Sequence, residues 1–241
     1  MNTCSTPYQR CGSCASPSSI GHFGGITATT NPIIRGIGWS AVPSGWPAGK
    51  VFAYVLTTVN VVGGYFVQSG SAPNLQGGFV TLATCMHYHR TMWASMKGLW
   101  VAGFAGKNIG TGNPLFYLMY VADECDSQLG LWNTLPPSTR TAKNAKYNVL
   151  GDLYEPSTAI AATRHTPGAY HPPHPRHVHA PGNAWHDDIN YMSLLGRRPN
   201  LLVGDPNFSF VWMRPRYSYI RSPHPRFTTY DSLGAFLRNL R

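Results

Sequence analysis

Between Lys50 and Trp212 the apolar residues come in short β-branched and aromatic runs, each ended within a few positions by glycine, proline or a polar cluster. Runs this brief do not sustain a helix face and suit strands instead. They cover 51–57, 79–84, 99–104, 115–121, 200–203 and 208–212. The third and fourth, joined by the Gly-rich turn over 106–114, predict a hairpin. Composition agrees: 25 Gly and 20 Pro beside only 12% charged residues describe many turns and few long exposed helices, which excludes a helix bundle. Helical turns are expected over 86–98, over 123–132 ahead of a stop at Pro136-Pro137, and over 232–240. Residues 139–181 read as loop, and the glycines at 63, 64, 70, 77 and 78 read as a long connection. The fold class expected is α+β: a small, partly open β-barrel with short helices and long loops.

Three regions follow from the same pass. Residues 1–49, rich in Ser, Thr, Gly, Pro and Cys, lack periodicity and read as an irregular arm. Residues 50–212 form the domain, and 213–241 a basic tail. The formal net charge is +10 with a pI near 9.6, which favours a polyanionic partner such as nucleic acid. The surplus gathers late: from Arg197 onward there are eight Arg, no Lys, and only Asp205 and Asp231 against them. Arginine's planar fork suits phosphate and base edges, although charge runs are often only solvated. No apolar stretch is long enough to span a membrane, and the first residues lack the charged start and apolar centre of a secretory signal. No membrane partner is expected, and the location expected is cytoplasmic. The five cysteines, Cys4, Cys11, Cys14, Cys85 and Cys125, are odd in number and crowded early, so they form no disulfide framework.

The run Val80-Thr81-Leu82-Ala83-Thr84-Cys85, then the basic Arg90, then Gly98-Leu99-Trp100-Val101-Ala102-Gly103, resembles the nucleotide-modification-associated domain family of the second type. Phe52 to Val55 resembles that family's opening strand, and the resemblance continues through Leu115 to Val121. Gly151-Asp152-Leu153-Tyr154 is similar to its Gly-Asp and tyrosine segment, Leu201 to Val203 with Phe208 to Trp212 to its closing strands, and His177 to Asp188 to a histidine and aspartate region. Leu99 stands where the family has an acidic residue, so no role for that carboxylate carries over. The resemblance implies a link to DNA base modification and a relation to the PUA and EVE barrels that bind modified nucleotides.

A reader of a modified base needs rings to stack on, polar groups for the base edge and cations for phosphate. Candidate rings are Tyr54, Trp93, Trp100 and Trp185. Candidate edge readers are Asn60, Thr84 and Asp152, and candidate phosphate contacts are Arg90, Lys97 and Lys107. The competing reading makes the aromatics core residues and Thr84 a cap. An enzyme acting on a nucleobase or nucleotide is the rival function: Cys85 beside His87 and His89, with Asp152 or Asp187, supplies a nucleophile, a base and an orienting carboxylate. Metal binding is a third class. His177, His179, His186 and Asp187, with Asp188 beside them, offer imidazole and carboxylate ligands, and Cys4, Cys11 and Cys14 with His22 offer a zinc-like set. No cofactor is expected otherwise, and zinc or another divalent ion is what those ligands would take. The oligomeric state is not legible.

Overall fold

The computed structural model describes residues 27–28, 42, 44–106, 112–157, 164–177, 185–220 and 227–241. Its strands are β1 (Thr27–Ala28), β2 (Val51–Leu56), β3 (Val59–Val62), β4 (Tyr65–Gln68), β5 (Thr81–Leu82), β6 (Trp100–Ala105), β7 (Leu115–Cys125), β8 (Leu201–Val211) and β9 (Phe227–Tyr230). The helices are short: α1 (His87–Thr91), α2 (Gln128–Thr134), α3 (Pro137–Lys143), α4 (His186–Asn190) and α5 (Leu233–Leu237). The class is α+β. Strands hydrogen-bond in the order β1-β8-β7-β6-β2-β9 with β5 also on β8, and β3 and β4 form a two-stranded sheet of their own. Among the described residues no helix is long and apolar enough to cross a membrane.

Two compact units interleave along the sequence. The first takes the described residues up to Ser69, Trp100–Leu118 and Phe210–Arg241; the second takes Gly70–Leu99 and Met119–Ser209. In the first, β2 lies between a parallel partner, β6 (Val51↔Trp100 to Leu56↔Ala105), and an antiparallel one, β9 (Val51↔Tyr230 to Tyr54↔Phe227). Successive residues of β2 point to opposite faces and all but Val55 are buried, so both faces are covered, which accounts for the unbroken apolar run Val51 to Leu56. Gly103 on β6 lies against the Tyr117 ring and Leu56, and a Cβ there would overlap both. Gly103→Ala is therefore expected to destabilise by about 1–3 kcal/mol through overpacking, seen as a lower urea midpoint. An unchanged midpoint would show that the Tyr117 ring moves aside freely.

Several expectations need correction in the first unit. The glycine-rich connection after β2 contains a hairpin, because Gly63 and Gly64 (φ 59° and 79°) both adopt the left-handed conformation of a two-residue turn between β3 and β4. Of the stretch 213–241 read as a basic tail, the described residues 213–220 and 227–241 belong to the first unit. β9 pairs with β2, and α5 buries Leu233, Phe236 and Leu237 with Ser232 Oγ accepting from the Ala235 N–H at 3.1 Å. That helix lies inside the span expected for it.

The second unit has its own core of Ala83, Leu131, Leu135, Leu153, Leu201 and Val203, and a second cluster of Ala145, Tyr154, Ala169, Tyr170 and Ile189. The Pro136-Pro137 pair starts a helix rather than only stopping one. Pro137 is the first residue of α3, where its missing N–H costs nothing, so the loop expected from 139 begins later. The helix expected over 123–132 also starts late, because β7 runs on to Cys125 and Ser127 Oγ caps α2 by accepting from the Gly130 N–H at 3.1 Å. The strand expected over 79–84 shortens to β5. The two closing strands are one, since β8 continues through Pro206.

Candidate functional site

The motif from Thr81 to Cys85 is held by buried polar groups. Asp152, fully buried, accepts from Thr81 Oγ1 at 3.2 Å and from the Ala83 N–H at 3.1 Å. It is positioned by Gly151, where a Cβ would lie 2.5 Å from the Ala145 backbone. Lys143, also fully buried, donates from Nζ to the Phe79 carbonyl at 2.6 Å, the Asn74 carbonyl at 2.8 Å and Asn74 Oδ1 at 3.3 Å. Burial pushes the Asp152 carboxyl up to about 6 against the pull of Lys143, and pushes the Lys143 ammonium down to about 7 against the pull of Asp152.

Arg90 completes this core. Its guanidinium donates to the carbonyls of Cys85 (2.8 Å), Ala83 (2.8 Å) and Asn200, and the side chain is fully buried. Five donors in a fixed fork suit three carbonyls converging from two backbone segments. Arg90 and Asp152, expected on phosphate and base edge, are thus both fully buried and bonded within the core of this unit. Thr84 is likewise buried, with its hydroxyl 2.9 Å from Ser71 Oγ.

A different set converges on Asp188, the buried carboxylate of α4. Its Oδ2 accepts from the Tyr154 hydroxyl at 2.7 Å, and its Oδ1 lies 3.2 Å from His87 Nε2. The His87 approach has ion-pair distance without hydrogen-bond alignment, since Nε2 makes no hydrogen bond. The imidazole stacks on Tyr191, ring centroids 5.0 Å apart. Tyr154 in turn meets Trp185 at 5.4 Å and the edge of His177 at 6.5 Å. Burial first, and Asp188 next, hold the Tyr154 hydroxyl well above the usual phenol range, so it remains a donor. Beside this cluster is a cleft lined by Asp126, Gln128, Asp188, Tyr191 and Arg198 among others, with space for about one water, ≈ 10 Å³. Arg198 brings a buried Nη1 that has no hydrogen-bond partner.

The predicted nucleophile set is only partly assembled. His87 has a carboxylate neighbour, but it is Asp188, while Asp152 is bound into the Lys143 core and Asp187 is exposed on α4. Cys85 makes no hydrogen bond to His87. Burial pushes its thiol up, with Arg90 and the Met86 N–H opposing and Asp188 adding to the rise. That is the opposite of an activated thiolate. Of the expected metal ligands, His177 Nδ1 lies 2.9 Å from the Val149 carbonyl and His186 is exposed with its ring against Trp185. Among the described residues no three His, Cys, Asp or Glu side chains are grouped to hold a metal ion. His179, Lys107, Cys4, Cys11, Cys14 and His22 lie outside the described residues.

The remaining candidates are dispersed. Tyr54 and Trp100 are fully buried in the first unit, where the Tyr54 hydroxyl meets that of Tyr117 at 2.9 Å and the Trp100 ring stacks on Trp46. Trp93 is half-buried, its carbonyl accepting from Asn200 Nδ2 at 3.3 Å. Lys97 forms an exposed pair with Asp123 at 3.3 Å, and Asn60 lies on β3. Sequence reasoning missed Asp188 as the organising carboxylate, together with Tyr154, Tyr191 and Arg198. A signal existed for Asp188, which precedes the apolar Ile189 on the inward side of α4, whereas Asp187 lies on the outward side. Comparison with family models, with curated proteins and with solved structures gives no match for this chain.

Proposed function

We propose that this is a cytoplasmic nucleic-acid-binding protein of the PUA and EVE kind that recognises a modified nucleotide in DNA, and that the Asp188 cleft receives the base. The observation that carries this reading is the juxtaposition, on one cleft, of a fixed carboxylate, an aromatic ring and a guanidinium: Asp188, Tyr191 and Arg198. A carboxylate accepts from the exocyclic amino group of cytosine or adenine, a tyrosine ring stacks on a base face, and arginine holds phosphate. The +10 charge supplies attraction to the backbone. A cleft of one-water size must widen to admit a base, and Tyr191 and Arg198, both only half-buried, are the walls able to move.

Fluorescence anisotropy with oligonucleotides containing cytosine, 5-hydroxymethylcytosine, adenine or N6-methyladenine, over a range of salt concentrations, tests the reading. Affinity should fall steeply with salt, and one modified base should be preferred. Asp188→Asn should reduce affinity for the preferred base about tenfold, the loss of one good base-edge contact. Absence of binding to every oligonucleotide, or binding indifferent to salt, overturns the proposal.

A further inference from the structure

Part of the wall of the cleft belongs to the loop from Tyr191 to Pro199. Tyr191 enters the loop and Arg198 and Pro199 leave it, all three lining the cleft. Between them the chain turns tightly. The Ser193 N–H donates to the Arg197 carbonyl at 2.9 Å, the Gly196 N–H to the Ser193 carbonyl at 2.9 Å, and the Arg197 N–H to Ser193 Oγ at 3.1 Å. Gly196 takes φ +70°, a conformation disfavoured for other residues. Ser193 is buried at the base of this turn, and Leu194 and Leu195 stand at its tip with relative exposures of 102% and 74%. Met192 is exposed beside them at 48%. An internally bonded turn thus holds Leu194 and Leu195 largely in water beside the exposed Met192, an apolar patch of the kind that marks an interaction site.

What it meets is constrained by the flanks. Arg197 is exposed directly after the tip, Arg198 follows, and no acidic residue lies between Tyr191 and Pro199. Apolar residues flanked by arginine match a duplex: side chains such as leucine and methionine enter between base steps and unstack them, while arginines take the phosphates. Proteins that receive one extruded base must also compensate for the gap it leaves in the stack. The tip lies on the same loop as the wall of the proposed base cleft, where such a filler is needed.

We propose that Leu194 and Leu195 form a wedge that enters the stack of a DNA duplex in place of the base taken by the Asp188 cleft, with Arg197 on the adjoining phosphate. This rests on the reading of the cleft as a base site. The test uses the full chain, duplex and single-stranded oligonucleotides of one sequence, and 2-aminopurine beside the target base. Wild type should bind both forms and raise 2-aminopurine fluorescence in the duplex. The L194S/L195S variant, altered only at exposed positions, should bind the single strand within about twofold of wild type. It should lose duplex affinity by about tenfold or more, together with the fluorescence rise, because unstacking is then uncompensated. Arg197→Ala should weaken both forms and lower the salt slope by about 1. A double variant that binds the duplex and unstacks 2-aminopurine as wild type does overturns the wedge and leaves the nucleic-acid reading standing. Wild type that binds neither form overturns both. Binding to phosphatidylserine vesicles that the double variant loses, with duplex binding unchanged, assigns the tip to a lipid surface and overturns the wedge.

Discussion

Replacing Arg90 by lysine should lower stability by about 3 kcal/mol or more, without any nucleic acid present. Three carbonyls, the buried one of Ala83 and the half-buried ones of Cys85 and Asn200, accept from this one guanidinium. An ammonium lacks the fork, and a buried acceptor left without its donor costs about 1–3 kcal/mol. A urea titration of wild type and variant by tryptophan fluorescence reads the difference directly. If the variant unfolds at the wild-type midpoint but loses affinity for oligonucleotides, Arg90 is a phosphate ligand after all and the structural role assigned to it is wrong.

The second large effect concerns Lys143. Lys143→Met removes the cation whose field opposes the upward shift of Asp152 and leaves the Phe79 carbonyl without its donor, while the Asn74 carbonyl keeps only the Thr81 N–H. Breaking a buried charged pair on one side costs about 3–5 kcal/mol. Asp152 lies fully buried with its carboxyl already pushed up to about 6. Because its folded value is above the ordinary 3.8, its share of stability is fully present below that value and is lost as pH rises through about 6. Taking away the lysine raises the carboxyl further, so the damage of Lys143→Met should be greatest at pH 8 and shrink toward pH 5. Adding Asp152→Asn should recover part of the loss at pH 8 and flatten the dependence. Equal destabilisation at both pH values, with no recovery in the double variant, would remove the charge coupling from this explanation.

The sequence made the sheet legible where apolar runs were dense. β2, β6 and β7 lie where Val51 to Thr57, Leu99 to Phe104 and Leu115 to Val121 put them, because strands buried on both faces are written as unbroken apolar stretches. It misled where a residue type has two grammars. Gly63-Gly64 signals either a loop or a hairpin turn, and Pro137 either ends a helix or opens one. The polar residues of the Thr81 to Arg90 motif were found, but their use was not. A buried arginine and a ligand-binding arginine have the same letter, and only the three converging carbonyls separate them. The Asp188 cleft was the least legible part, since Tyr154, His87, Asp188 and Arg198 are drawn from distant points of the chain by packing that no local pattern encodes.

The pairing of β2 with β9 joins Val51 to Tyr230, almost the whole described chain apart. During synthesis, strands β2 and β6 are complete long before β9 emerges, so the far edge of β2 waits with bare N–H and C=O groups and apolar side chains. Such an edge is a template for pairing with another nascent chain. Production of this protein therefore depends on β9 arriving promptly: a ribosome stalled before Tyr230, or a proteolytic nick that frees β9, leaves an adhesive strand exposed rather than a merely shortened domain.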